Sequence, residues 1–288
     1  SIDFDAAIDS VTSLLEYTII PDHQQPVFTF SSDVTNHGTS PVTGVELSAD
    51  VYNGVGNNVH NSSSTALPTL APAASANLTT TGTFNPTVQD AYNIYYSVAI
   101  NEADGNSAND TLLYNTFYLS DTIMARDDGT IVAALGIGAG NGGYLGNQFE
   151  ITETSILSSA SVYLTQSANT TVGIAIYDFA TGVPANLLYA SPLLVLPTDS
   201  SALFTFEVSP GAPLILNPGT YLIAAVETDS TLQIGTTNSI FTPGTCWVNW
   251  PTSPFGGWAN VEEFGAGFAK TFVIRANLQN ICSGFNVA

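Results

Sequence analysis

Basic side chains are nearly absent from this chain of 288 residues: Arg126, Lys270 and Arg275 stand against 24 carboxylates, giving a formal net charge of -21. No basic stripe exists to displace the counterions of a phosphate backbone, so nucleic-acid binding is excluded. Insertion at an anionic membrane surface is disfavoured for the same reason. With 9% charged residues against the usual quarter, salt bridges cannot be a general source of stability. No run of 18 apolar residues occurs, so no segment reads as a membrane-spanning helix. Cysteine is scarce, with Cys246 and Cys282 alone. No CxxC or Cys/His spacing suits zinc. A single disulfide between these two is the expectation for an exported chain, and it would stabilise the fold by roughly 4 kcal/mol in the chain-entropy description. Two buried free thiols are the alternative. The first residue is Ser1, with no charged and apolar leader behind it. That fits an extracellular chain whose signal peptide has been removed.

What is abundant is apolar and small polar. Hydrophobic residues make up 44%, including 15 Phe and 12 Tyr, enough for a sizeable core. With Lys, Arg and Glu so few, the surface must be Ser, Thr, Asn and Gly, a coat that suits strands and turns far better than helices. Val45 to Tyr52 alternates apolar and polar with period two, Tyr92 to Ile100 is the strongest strand of the first half, and Thr111 to Ser120 closes it. Ile2 to Ile20 reads as an irregular lead-in followed by a first strand that ends at Pro21. Short strands with turns every 8–12 residues are the pattern of an immunoglobulin-like sandwich. The second half repeats the theme with strands broken by Pro210-Gly211 and Asn217-Pro218-Gly219, as in a jelly roll. The chain is therefore expected to be all-β, with an immunoglobulin-like sandwich over 1–122 and a jelly-roll-like sandwich over 123–288.

The stretch from Tyr17 through Asn36-His37-Gly38-Thr39, then Glu102-Ala103-Asp104 to Asn109-Asp110-Thr111, resembles the adhesion-type immunoglobulin-like modules of Bacteroidota surface proteins. Ala125-Arg126-Asp127-Asp128-Gly129 resembles the opening of the jelly-roll module that often follows, and Phe272 to Leu278 resembles its close. The resemblance implies export by type IX secretion and a cell-surface role. It also implies O-glycosylation at Asp-Ser/Thr sites, which here would be Ser10, Thr111, Thr122 and Ser230.

Chemistry-bearing patterns are few. Gly138 to Gly143 matches GxGxxG but leads into a strand rather than a helix, so it reads as an entry loop. Glu102, Asp104, Asn106 and Asp110 gather four oxygen-bearing side chains around Gly105, as calcium loops do, without the EF-hand spacing. A hairpin loop whose Asx side chains bond their own backbone is the other reading, and Asp127, Asp128, Glu262 and Glu263 are weaker calcium candidates. Arg126 beside Asp127 and Asp128 suggests a buried guanidinium paired to one of them, with Arg275 serving similarly on the last strand. Trp247, Trp250 and Trp258 lie in an aromatic stretch with Asn249 and Asn260. They form either a platform on which a sugar ring stacks or a plug for the end of the second sandwich. His23, His37 and His60 fall in loops or turns of the first half, with no HExxH, GxSxG or Cys/His pairing, so no catalytic residue is assigned.

The function this predicts is a non-enzymatic extracellular structural or adhesive surface protein, self-associating in a filament or layer or binding other surface proteins. The alternative is a carbohydrate-binding accessory module of a larger secreted hydrolase, with glycans as partners.

Overall fold

The computed structural model describes residues 2–138, 140–165, 170–196, 201–208, 211–228, 232–238 and 240–281. Among them the chain is all-β, with short 3-10 turns and no α-helix, so no helix is long and apolar enough to cross a membrane. It divides into two compact units: Ser1–Leu15 with Gln25–Leu119, and Glu16–Gln24 with Ser120–Ala288.

The first unit is a sandwich. One sheet holds Ala6–Val11, Ser31–Asn36 and Ser75–Thr79. The other holds Thr111–Ser120, Ala91–Ala99, Val42–Asn53 and Asn58–Ser63, with Leu67–Leu70 also on Val42–Asn53. The period-two pattern does what it should: Val45, Leu47, Ala49 and Val51 are buried, as are Tyr92, Ile94, Tyr96 and Val98 opposite them. Phe28 and Phe117 stack at 4.6 Å, and Phe30 meets Tyr96 edge-on at 6.2 Å, joining the sheets across an aromatic core. The lead-in expected before Ile20 is instead paired: Ala6–Val11 runs antiparallel to Ser31–Asn36.

The second unit is also a two-sheet sandwich. Its first sheet runs Val183–Ala190, Thr171–Ala180, Gly219–Glu227, Gly143–Ile151, Cys246–Asn249, Trp258–Asn260, with Leu194–Val195 on Thr171–Ala180. Its second contains Ala133–Leu135, Gln233–Thr237, Ser155–Thr165, Ile274–Asn280, Ile123–Ala125 and Ile19–Pro21, while Ala202–Glu207 and Leu214–Leu216 lie on Ser155–Thr165. Phe149, Leu157, Val162, Ile174, Ile176, Ile223, Phe272 and Ile274 fill the space between. Asn147, fully buried, crosses it: its side-chain amide donates to the Phe272 carbonyl at 2.7 Å.

Two expectations change here. The boundary falls after Leu119, and Glu16–Gln24, assigned by sequence to the first domain, belongs to the second unit. Specific side chains place it there. Gln24 is buried and complete: its amide donates to the Glu153 carbonyl at 2.6 Å and to Ser155 Oγ at 2.8 Å, while its oxygen accepts the Thr152 amide at 2.8 Å. Arg126 pairs not with Asp127 or Asp128 but with this segment. Its Nη2 donates to Tyr17 Oη at 2.9 Å, its Nη1 to the Glu16 carbonyl at 3.3 Å, and its carbon lies 4.3 Å from the Tyr17 ring centre. Asp127 takes Arg275 instead, at 2.6 Å.

Candidate functional site

Along Gly143–Ile151, Leu145, Asn147 and Phe149 point into the core, so Tyr144, Gly146 and Gln148 face outward. The register carries that outward face across the sheet. Gly146 lies opposite Ala224, and Ala224 opposite Ala175; Gln148 lies opposite Leu222, and Leu222 opposite Tyr177. On the other side Gly146 pairs with Trp247, and Asn249 with Trp258. An outward sheet face normally shows Ser and Thr to water. This one has a floor of glycine and alanine under aromatic rings: Ala224 and Ala175 are buried although they face away from the core, and they cluster with Leu222, Tyr177 and Trp247. Tyr144, Tyr177 and Trp258 meet pairwise at 5.6, 5.8 and 5.3 Å, and Phe179 meets Trp247 edge-on at 5.6 Å. Gly146 is required at this spot, because a Cβ there would come within 2.7 Å of the Ile223 carbonyl oxygen and 2.8 Å of the Ala224 Cβ.

The three tryptophans therefore part company. Trp247 is 7% exposed, and its indole N–H reaches Gln148 Oε1 at 3.3 Å, so it is a wall of this second small core. Trp258 is half-buried and leaves part of its ring to solvent beside Tyr144 and Tyr177. Burial pushes the Tyr177 phenol up, and its neighbour Tyr144 adds to the rise. Trp250 lies elsewhere, stacking on Phe264 at 6.3 Å and lining an apolar pocket of about 170 Å³ with Leu135, Ile137, Leu145 and Val248. Trp247, Trp250 and Trp258, read from sequence as either a sugar platform or a plug for the end of the sandwich, thus divide between an apolar pocket around Trp250 and an outward aromatic face around Trp258. Asn260, opposite Trp247, is committed to a turn: its backbone N–H donates to Glu263 Oε1 at 2.8 Å. Tyr144 and Tyr177, which complete the face, were not singled out by sequence.

The acidic loop is spread out. Glu102 turns to Thr43, accepting its amide at 2.9 Å and its hydroxyl at 2.7 Å, contacts that hold its carboxyl below the usual range. Asp104 accepts the Ala6 and Asn106 amides, at 2.9 and 2.7 Å, as an Asx-type loop does. Asp110 sits near Asp104 and Asp5; desolvation and then these two carboxylates push its pKa up. Among the described residues no group of three His, Cys, Asp or Glu is spaced to hold a metal. Since the folded state holds the Asp110 proton more tightly than the unfolded chain, this residue favours folding at acid pH, and that contribution is lost as pH rises through its raised pKa. Asp110→Asn should therefore raise the melting temperature at neutral pH and flatten its pH dependence in the carboxylate range. Unchanged melting curves would refute the repulsion.

Cys246 is a buried free thiol whose Sγ contacts Asn147 Oδ1 at 3.4 Å; burial pushes its pKa up to about 11. Cys282 and Ser230 lie outside the described residues. In the native protein Cys246 should resist alkylation, and it should react once the chain is unfolded without reductant. Failure to react there would instead indicate the Cys246–Cys282 disulfide. Of the other glycosylation candidates, Ser10 and Thr111 are exposed and Thr122 half-buried; Ser10 Oγ donates to Asp33 Oδ2 at 3.1 Å.

One catalytic-looking chain of contacts escaped the sequence reading, because its members are far apart in number. His23 Nε2 lies 3.0 Å from Ser155 Oγ, and His23 Nδ1 lies 3.5 Å from Asp22 Oδ1. Ser155 is fully buried and its hydroxyl lies 3.0 Å from the Glu153 carbonyl, which leaves a substrate no approach to this serine. His23 lies in a turn as expected, but in the second unit, and His60 lies in strand Asn58–Ser63 rather than in a loop or turn.

No protein-family model matches the chain, and no curated protein does. Among solved structures it is similar to a clostridial cysteine protease, Cwp84, after propeptide cleavage, with a TM-score of 0.43 and 8% identity over 82% of this chain and 65% of that one. The cysteine protease and lectin-like domains of Cwp84, a surface layer associated protein of Clostridium difficile, give a TM-score of 0.37 and 11% identity over 83% and 59%. The CARDB domain of the PF1109 protein from Pyrococcus furiosus, in complex with di-metal ions, gives a TM-score of 0.25 and 20% identity over 41% and 87%. The chain spans less than two thirds of the length of either Cwp84 structure. These likenesses are weak.

Proposed function

We propose that this is a non-enzymatic, extracellular structural or adhesive surface protein, in which the first unit acts as spacer and the second carries the binding surface. The observation behind this reading is the outward face of Gly143–Ile151 and its neighbours. It holds the aromatic rings of Tyr144, Tyr177 and Trp258 where a water-facing sheet would be polar, and the carboxylate that shares its outward parity on Gly143–Ile151, Glu150, lies at the far end of that strand from Tyr144. Such a face suits an uncharged partner. Its half-buried Trp258 also favours the second reading, a carbohydrate-binding module, since a sugar's C–H face stacks on an indole edge or plane. Type IX export and calcium at the Glu102–Asp110 loop belong to the proposal, and an unchanged melting temperature on adding calcium or chelator would remove the latter.

Trp258→Ala tests the site. Because its ring is partly exposed at the edge of the sheet, the melting temperature should fall little, while binding on a glycan array should drop by tenfold or more, a stacked ring being worth on the order of 1.4 kcal/mol. Binding unchanged in the variant would remove the face from the reading. No binding by either protein would leave the structural role without its carbohydrate branch.

A further inference from the structure

Sheet edges are where a sandwich is vulnerable. The first unit ends its larger sheet with Asn58–Ser63, a strand of Asn, His and Ser around a single Val59. The second unit ends its first sheet with Val183–Ala190, and that edge is unlike the other. Val183, Leu187 and Leu188 are exposed there, and the chain continues through exposed Leu193, Leu194 and Val195 at 49%, 51% and 64%. Edge strands of monomers are usually guarded by charge, by proline or by bulges; this one has Pro184 and two register shifts but lacks charge. No charged residue lies between Asp178 and Asp199.

We propose that this edge is where a second copy of the chain docks, an inference that rests on the surface-assembly reading above and gives it a location. Charge is the first argument for a like partner. Two molecules of net charge -21 repel wherever carboxylates face one another, and this stretch carries none of its own, the nearest, Asp178, being held by two hydrogen bonds from Asn186. Area is the second. Six roughly half-exposed aliphatic side chains expose on the order of 500 Å² together, at the upper end of what monomers leave uncovered, and more than half of the roughly 800 Å² per partner that stable association uses. Pairing is the third. The strand carries no charge and its one amide, Asn186, is already bonded to Asp178, so an antiparallel copy related by a two-fold axis sets Leu187 and Leu188 against the same residues of its mate. Two register shifts against Thr171–Ala180 bend the strand. Side-chain burial, with a short backbone ladder, therefore carries the contact.

Sedimentation over a concentration series tests this with three proteins: the wild type, the double variant Leu187→Lys with Leu194→Lys, and Asn61→Lys on the polar edge. The wild type and Asn61→Lys should form dimers that strengthen as salt screens the net charge. The double variant should stay monomeric with an unchanged melting temperature, since both sites face solvent. A wild type that is monomeric throughout, or a double variant that dimerises like the wild type, overturns the proposal. Either result leaves glycan binding through Trp258 untouched, so failure here and failure of the binding reading are separable.

Discussion

Arg275→Ala should destabilise the second unit by about 3–5 kcal/mol, the usual consequence of stranding a buried charge. Asp127 is fully buried, and Arg275 holds it from two nitrogens: Nη2 at 2.6 Å and Nε at 3.2 and 3.3 Å from its two oxygens. The Gly129 amide gives the carboxylate one more hydrogen bond at 3.0 Å. Losing the guanidinium leaves a charge that one amide cannot compensate. Asp127→Asn is the informative partner. It removes the charge with the shape kept, so it should cost less than Arg275→Ala, and the double variant Asp127→Asn with Arg275→Ala should recover part of the loss. Thermal unfolding measures this, with a fall on the order of 10 °C for Arg275→Ala. Equal and additive losses would mean that the pair is not coupled.

Arg126→Ala should cost about 3–4 kcal/mol, through different physics. At 2% exposure Arg126 is the largest fully buried side chain among the described residues, but its acidic neighbour Glu16 is nearly half exposed at 48%, and the pair is long at 3.4 Å. The ion pair therefore contributes little. What is lost is the volume of the side chain, the 2.7 Å bond to the Gln148 carbonyl and the bond to Tyr17. Arg126→Lys keeps the charge without the planar fork that serves the Gln148 carbonyl, Tyr17 and Glu16 together, so it should recover less than half of the loss. Full recovery by lysine would show that charge, rather than geometry, is what the site needs.

The parts of the fold that the sequence reveals are those whose cause is local. Val42–Asn53 and Ala91–Ala99 each have one face in the core and one toward water, so their alternation is plain in the letters. The outward aromatic face is less legible because its strands carry apolar residues on both sides. Thr171–Ala180 and Gly219–Glu227 are apolar at successive positions of both parities. Such a run says that neither face is the usual polar one, a signal that could draw Tyr177 into the site. Tryptophan was visible by rarity, yet neighbours in sequence proved to occupy different places: Trp247 and Trp258 on the sheet, Trp250 in the end pocket. The partners of Arg126 and Asp127 are hidden from the sequence for a related reason. Adjacent residues of an extended chain point apart, and the true partners, Tyr17 and Arg275, lie 109 and 148 positions away.

Ile19–Pro21 is synthesised about a hundred residues before Ile123–Ala125, the strand it pairs with. On a ribosome that piece must wait, its apolar side uncovered, until the chain beyond Leu119 emerges. A gene cut neatly at the midpoint would hand one half a surplus ribbon and leave the other with a vacant seam, which forbids swapping these halves as cassettes. Any shortened version meant to fold alone has to carry Glu16–Gln24 along, grafted ahead of Ser120 or supplied as a separate peptide.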